Sequence, residues 1–336
     1  MHSSRRWIIS ALAAFAVLLP AGGAQAQSKT VRLAKQFGIS YLPLTIMEAK
    51  QLLETHGKRL GLDLKTEWVV FTSGAPMNEA IISGNLDFAS GGVGPLLTIW
   101  GKTRTNLGVK GVAALNSMPL YLNTINPNVK SIKDFTDKDR IALPAVKVSI
   151  QAITLQMAAE KEFGPGQHGK LDALTASLGH PDGFAAMMSG KSEITGHFTS
   201  APFMYQELED SRVRKVLDSY EVLGGPHTFN VIWATTKFHD ENPKVIEAFI
   251  AALDEAMKQI AANPAEAAAI WVKAENSKLS PAYIEKLVRL PENEWTMVPK
   301  KVMVYAEFMS RIGMFSPKPE SWRDLFFSDT HKLPGS

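Results

Sequence analysis

Two stretches of this chain follow the same grammar, and that repetition constrains the fold more than any other feature. Residues 75–96 read APMNEAIISGNLDFASGGVGPL, and residues 180–203 read HPDGFAAMMSGKSEITGHFTSAPF. Each runs from a proline-started helical segment through a Ser-Gly stop and a short β-like run into a turn of small residues. A second proline-led helix follows in both. Strands alternating with helices over such short connections build parallel or mostly parallel sheets covered by helices. Meeting the unit twice in one chain predicts an α/β protein with two lobes of like construction.

Periodicity fills in the rest. Strands are predicted at 31–34, 64–71 and 86–90, with helices over 43–60, over 76–83 and opening at Pro95. The β-like runs 109–115 and 120–125 are placed to carry the chain into lobe two, whose first strand is predicted at 141–143, and 229–235 to bring it back. After Pro243 apolar residues recur at three- and four-residue spacing, and further helices start near Pro264, Pro281 and Lys300. These are expected to pack on lobe one. The expected division is a signal peptide at 1–26, the first part of lobe one at 27–118, lobe two at 119–229, and the return crossing with the C-terminal helices of lobe one at 230–336. Two crossings make a hinge.

The N-terminus carries an address. Arg5 and Arg6 precede an apolar run at 7–19, and Ala24-Gln25-Ala26 offers small residues where a signal peptidase cuts. The run is shorter than the roughly 20 residues of a membrane span. It reads as a cleaved export signal, with the twin-arginine and general routes both open. Cysteine is absent, which excludes disulfides, a thiol nucleophile, a Cys metal site and a lipid-modified Cys. Removing 1–26 deletes two arginines and no acids, so the formal charge falls from +3 to +1. A balanced surface without a Lys/Arg cluster speaks against nucleic acid as a partner. A monomer free in the periplasm is expected.

Every strand-to-helix handover holds small or hydroxyl residues: QFGISYLP, TSGAP and GGVGP in lobe one, PAVKVSIQ and HFTSAP in lobe two. In open α/β sheets such turns gather at the carboxyl edge of the strands, where ligands bind. Each aims a helix N-terminus, with unpaired N–H groups and partial positive charge, into the same space. The candidate contacts in lobe one are Gln36, Phe37, Ser40 and Tyr41, then Ser73, Gly74 and Ala75, then Gly92, Val93 and Gly94. Asn116 sits on the first crossing and Asn230 on the return. Lobe two adds Lys147, Val148 and Ser149, then His197, Thr199 and Ser200.

Glycine at 92 would let main chain approach a ligand, and Gly92→Leu would fill the space reserved for it. Tyr41 or Phe37 would form an apolar wall, and Phe37, Tyr41 and Phe198 together would allow an organic tail. Lys147 and Ser149 would favour an anion, and His197 would donate to an oxyanion. The competing roles are a solvated lysine, a satisfied structural histidine and, for Ser73 and Ser200, helix capping. The patterns G-x-S-x-G, H-E-x-x-H, a P-loop and a full G-x-G-x-x-G are absent, and no two histidines stand at metal-ligand spacing. No catalytic residue, metal or cofactor is assigned.

From about residue 30 to residue 271 the chain resembles periplasmic substrate-binding proteins of ABC importers in the nitrate, sulfonate and taurine group, which also includes relatives of thiamine-pyrimidine-precursor binders. The resemblance rests, in order, on MNEAIISGNLDFASGGVGPLL, VKSIKDFTDKDRIALP with its following Ser-led helix, HPDGFAAMMSGKSEITGHFTSAPF and WATTKFHDENPKVIEAFIAALDEA. It implies a two-lobed, hinge-closing binder that hands a solute to an inner-membrane permease. It also implies that ligand contacts come from the turns just named. PAVKVSIQ departs from the Gly-rich Ser/Thr turn usual there, which leaves the solute open. A small organic anion, sulfonate or carboxylate, is expected. A neutral pyrimidine or thiamine precursor is the alternative, and a secreted hydrolase a more distant one.

Overall fold

The computed structural model describes residues 29–336. The expected export signal lies outside them. Lobe one opens with β1 (Lys29–Lys35), α1 (Leu42–Ala49), α2 (Leu52–Arg59), β2 (Leu64–Val70), α3 (Gly74–Ile82), β3 (Ala89–Gly92), α4 (Val93–Thr103) and β4 (Lys110–Ala114). Lobe two holds β5 (Tyr121–Thr124), β6 (Arg140–Leu143), α5 (Ile150–Phe163), β7 (Thr175–Ser177), α6 (His180–Ser189), β8 (Ile194–Thr199), α7 (Phe203–Leu208), β9 (Arg214–Asp218) and α8 (Ser219–Leu223). The chain returns through β10 (Asn230–Ala234). It ends in α9 (Thr236–Glu241), α10 (Pro243–Ala262), α11 (Pro264–Ala274), α12 (Pro281–Val288), α13 (Val302–Arg311) and α14 (Trp322–Leu325).

In lobe one β1 pairs parallel with β2, Leu33 bridges Phe88 in parallel just before β3, and β10 lies antiparallel between β3 and β4. The strand order is therefore β2-β1-β3-β10-β4. Lobe two runs β7-β6-β8-β5-β9, with β5 antiparallel to both neighbours. The two orders are the same: in each sheet the strand arriving from the other lobe is the antiparallel insert. The sequence repeat is a repeat of architecture, α3-β3-α4 against α6-β8-α7. β10 is buried at every position, as a central strand covered on both faces requires. The crossings run side by side, with Leu115 N–H donating to the Asn230 carbonyl (2.8 Å) and Phe229 N–H to that of Asn116 (3.2 Å).

Three expectations are corrected. The helix over 43–60 is two helices, because Gln51 adopts a left-handed φ of 51° and breaks the hydrogen-bond ladder. Pro95 occupies the third helical position of α4 rather than opening it, since α4 starts at Val93, while Pro76 lies in the first turn of α3 as expected. First-turn N–H groups have no helical partner, so a ring is tolerated there as well. Finally, α10, α11 and α12 pack on lobe one, but α13 touches both lobes, contacting α4 and α5. Val302, Tyr305, Ala306, Phe308 and Met309 give α13 a broad buried face. The Tyr305 hydroxyl lies 3.0 Å from that of Thr154 on α5, and Arg311 pairs with Glu160 of α5 at 2.5 Å.

Candidate functional site

A small pocket of about 20 Å³ lies between the lobes, lined by Gln36, Phe37, Tyr41, Gly74, Gly92 and Pro95 from lobe one, and by Pro144, Ser149, Ile150, Gln151 and His180 from lobe two. Phe229 of the return crossing completes it. That volume holds about one water. The N-terminal residues of four helices meet here: Gly74 of α3, Gly92 capping α4, Ser149 and Ile150 of α5, and His180 of α6. The lining contains no Lys, Arg, Asp or Glu. Its positive character therefore comes from backbone N–H groups and helix dipoles. A larger open groove of about 850 Å³ involves α5 and α13, but none of the strand-to-helix turns contributes to it.

The glycine turn has a different neighbour from the one expected. A Cβ on Gly92 would stand 2.6 Å from Ile150 Cγ2, and one on Gly94 would stand 2.6 Å from the Val148 carbonyl oxygen. Gly91 makes room for the Gln36 amide and Trp233. Glycines 92 and 94 thus admit lobe two itself, and a side chain there would obstruct the lobes before it obstructed a ligand. The lobes also meet where Ile39 N–H donates to the Ala201 carbonyl at 3.1 Å. Gly38 has a φ of 110° at that point and sits against the same oxygen.

Of the expected contacts, Gln36, Phe37, Tyr41, Gly74, Gly92 and Ser149 line the pocket. The Gln36 amide is anchored by donating to the Ser90 carbonyl (3.2 Å), and Ser149 caps α5 by accepting from Ala152 N–H (3.2 Å). Ser40, Asn116 and Asn230 are fully buried and face one another instead. Asn116 Nδ2 donates to the Ser40 carbonyl (2.6 Å) and Asn230 Nδ2 to its hydroxyl (2.9 Å). The Tyr41 hydroxyl donates to Asn230 Oδ1 at 3.3 Å, and burial pushes that hydroxyl far above its ordinary range. This clasp ties the first turn to both crossings.

Other expected contacts lie off the lining. Lys147 has a left-handed φ of 62°, is exposed and lies off the pocket lining. Val148 turns its carbonyl to Gly94, Val93 is core, and Ala75 lies off the lining. Ser73 holds the N-cap position of α3 without a capping hydrogen bond. Ser200 caps nothing, because α7 starts only at Phe203, and its hydroxyl is buried with no partner among the described residues. Phe198 is buried in the core and lies off the lining.

His197 is fully buried, with Nδ1 2.5 Å from Glu207 Oε1. The histidine that reaches the pocket is His180, whose Nδ1 lies 3.0 Å from the Thr199 hydroxyl and 3.4 Å from His197 Nε2. Burial, and then the neighbouring His197, push the His180 pKa well below its ordinary value. Sequence reading missed His180, Gln151, Pro144, Ile150, Pro95 and Phe229 as lining residues. One signal was available: strand alternation puts His197 and Thr199 on one face of β8, and the helix covering that face starts at His180.

A family profile described as NMT1/THI5 like matches residues 58–267. The taurine-binding periplasmic protein of Escherichia coli (strain K12) is 29% identical over 295 residues, covering 86% of this chain and 79% of that protein. Among solved structures, the alkanesulfonate-binding protein SsuA from Xanthomonas axonopodis pv. citri bound to MOPS has a TM-score of 0.67 at 16% identity, over 86% of this chain and 94% of that one. The periplasmic nitrate-binding protein NrtA from Synechocystis PCC 6803 has a TM-score of 0.68 at 16% identity, over 91% of this chain and 86% of that one. With strand order, paired crossings and these matches in agreement, the chain has the periplasmic-binding-protein fold and belongs to the NMT1/THI5-like family.

Proposed function

We propose that this protein is the extracytoplasmic solute-binding component of an ABC importer, capturing a small organic anion between its lobes and delivering it to a membrane permease. The convergence of four helix N-termini on one pocket without formal charges carries the reading. Oriented N–H groups suit a single negative charge, such as a sulfonate or carboxylate. Phe37, Tyr41 and Phe229 offer apolar surface to an organic tail. The solutes named for the taurine- and alkanesulfonate-binding relatives have this chemistry.

The lobes, divided near residues 119 and 229, swing about the paired crossings. A pocket of about 20 Å³ accepts an organic solute only when they part. Solute meets the N-termini of α3 and α4 first, and closure brings α5 and α6 over it. Its higher affinity for the closed form drives the motion. The contacts are Gln36, Phe37, Tyr41, Gly74, Gly92 and Ser149, joined by Gln151 and His180.

Thermal-shift screening followed by calorimetry tests the reading, with taurine, methanesulfonate, acetate, nitrate and a hydroxymethylpyrimidine as probes. Sulfonates or carboxylates are expected to raise Tm and to bind with one-to-one stoichiometry. A response to the pyrimidine alone overturns the anion reading, and turnover of an ester or amide panel overturns the assignment as a binder.

A further inference from the structure

Behind the pocket wall, a chain of polar side chains runs from the interior of lobe two to the cleft. Asn123 Nδ2 donates to Glu207 Oε2 at 2.8 Å, and Glu207 Oε1 lies 2.5 Å from His197 Nδ1. His197 Nε2 is 3.4 Å from His180 Nδ1, and His180 Nε2 is 3.4 Å from the Gln151 amide nitrogen at the cleft. Glu207 and His197 are 0% exposed and His180 is 5% exposed. Gly183, one turn along α6, leaves the space the His197 ring fills, since a Cβ there would stand 2.7 Å from His197 Nε2.

The polarity of this chain depends on one proton. The Glu207 carboxylate holds a hydrogen on His197 Nδ1. With His197 neutral, its Nε2 is an acceptor, which favours the His180 tautomer that carries its hydrogen on Nδ1 and shows a bare Nε2 to the cleft. That nitrogen suits the Gln151 amide and repels an oxyanion. With His197 protonated, its Nε2–H donates to His180 Nδ1, and His180 carries its hydrogen on Nε2. The Thr199 hydroxyl follows either state, because it can accept from His180 Nδ1 or donate to it.

We infer that His180, His197 and Glu207 form a proton relay that turns the cleft-facing nitrogen of His180 into a donor by taking up one proton, so that capture of an oxyanion is coupled to proton uptake. The inference rests on the anion-binding reading above. In the step, His180 Nε2 accepts a proton from cleft water as the His180 Nδ1–H proton passes to His197 Nε2. The charge gained rests on His197, beside the Glu207 carboxylate. Burial disfavours charge on His180 itself, which agrees with placing it there. Because the pocket lining has no cation, this proton supplies the formal charge nearest the solute.

The other ionisable groups on the packed elements are engaged elsewhere. Asp182 of α6 and Glu209 beyond α7 are exposed, and Tyr205 of α7 donates to Glu292. Arg140 of β6 donates to the Asp137 and Asp139 carbonyls, and Tyr121 of β5 lies under Lys215. On α5, Glu160 pairs with Arg311 and Glu162 with Lys133, while Lys161 at the far end of the helix from Gln151 reaches neither ring. Lys147, before α5, is exposed.

Nitrogen-15 NMR of histidine-labelled protein from about pH 5 to 9, with and without methanesulfonate, reads the hydrogen on each ring nitrogen. In the solute-free protein His180 is expected to change from Nδ1–H to Nε2–H as pH falls and one proton is taken up, and methanesulfonate is expected to move that midpoint to higher pH. Calorimetry in buffers of different ionisation enthalpy should then show uptake approaching one proton per solute above the midpoint, with Kd falling up to about tenfold per unit decrease in pH. Glu207→Gln and His197→Gln, each checked for folding by Tm, should abolish that pH dependence, whereas Asp182→Asn should keep it. A single His180 tautomer across the whole folded range, with no proton uptake, overturns the relay. Should none of the anions bind, the function proposed above fails, and the solute-free titration still decides the relay.

Discussion

Replacing Gly92 by alanine asks whether the lobes close against the glycine turn. In the described structure the new methyl would stand 2.6 Å from Ile150 Cγ2 and 2.8 Å from Ile150 Cβ. Carbon atoms rest about 3.5–4.0 Å apart, so roughly 1 Å of extra separation is needed. Ile150 is the first residue of α5 and is 1% exposed, so its Cβ is held by the helix and a rotamer change relieves only part of the contact. Overpacking of this kind costs about 1–3 kcal/mol. Gly92 has a φ of −66°, which alanine adopts freely, so the open form has nothing to lose. The cost falls on closure, and Kd for methanesulfonate or taurine should rise about 5- to 150-fold. Calorimetry on wild type, Gly92→Ala, Ile150→Ala and the double variant measures it. Because Ile150→Ala removes Cγ2, the cycle should show a coupling of about 1 kcal/mol. Affinity within twofold of wild type, or independent effects of the two substitutions, would refute closure against this turn.

Three further perturbations test the surrounding structure. Asn116→Ala strips partners from the Ser40 carbonyl and the Asn230 N–H, both buried, and should lower unfolding free energy by about 1–3 kcal/mol in urea titrations; a loss under about 0.5 kcal/mol would mean the clasp is slack. Burial holds the His227 pKa near 4, below its ordinary 6.5, so the unfolded chain binds the proton more readily. Stability from this group is complete above about pH 6.5 and is lost as pH falls toward 4, by about 3 kcal/mol, and His227→Gln should flatten that limb in unfolding curves recorded at several pH values. Arg311 holds the Glu160 carboxyl near pKa 2, so the pair stabilises above the ordinary carboxylate range and loses its effect as pH drops through 2. Arg311→Ala should cost about 1 kcal/mol at pH 7 and nothing near pH 2, and an equal cost at both would show that packing, not charge, is lost.

The sequence by itself determined the two α/β lobes. Strand and helix periods are local, and the repeated helix-strand-turn unit at 75–96 and 180–203 needs no knowledge of long-range contacts. It also picked out turns whose residues line the interlobe pocket, because turns that end parallel strands share one edge of a sheet. What it could not show was which atoms of those turns face one another. Gly92 looked like space for a ligand, and only the packing of α5 showed Ile150 waiting against it. Asn116 and Asn230 were legible as crossing residues, yet the adjacency of the crossings turned them toward Ser40 and away from the cleft. Lys147 entered an exposed left-handed turn that composition does not reveal. His197 and His180 changed places as the cleft residue for the same reason. Which face of β8 is covered, and by which helix, is settled by how the elements pack in three dimensions, whereas period and propensity act between neighbours along the chain.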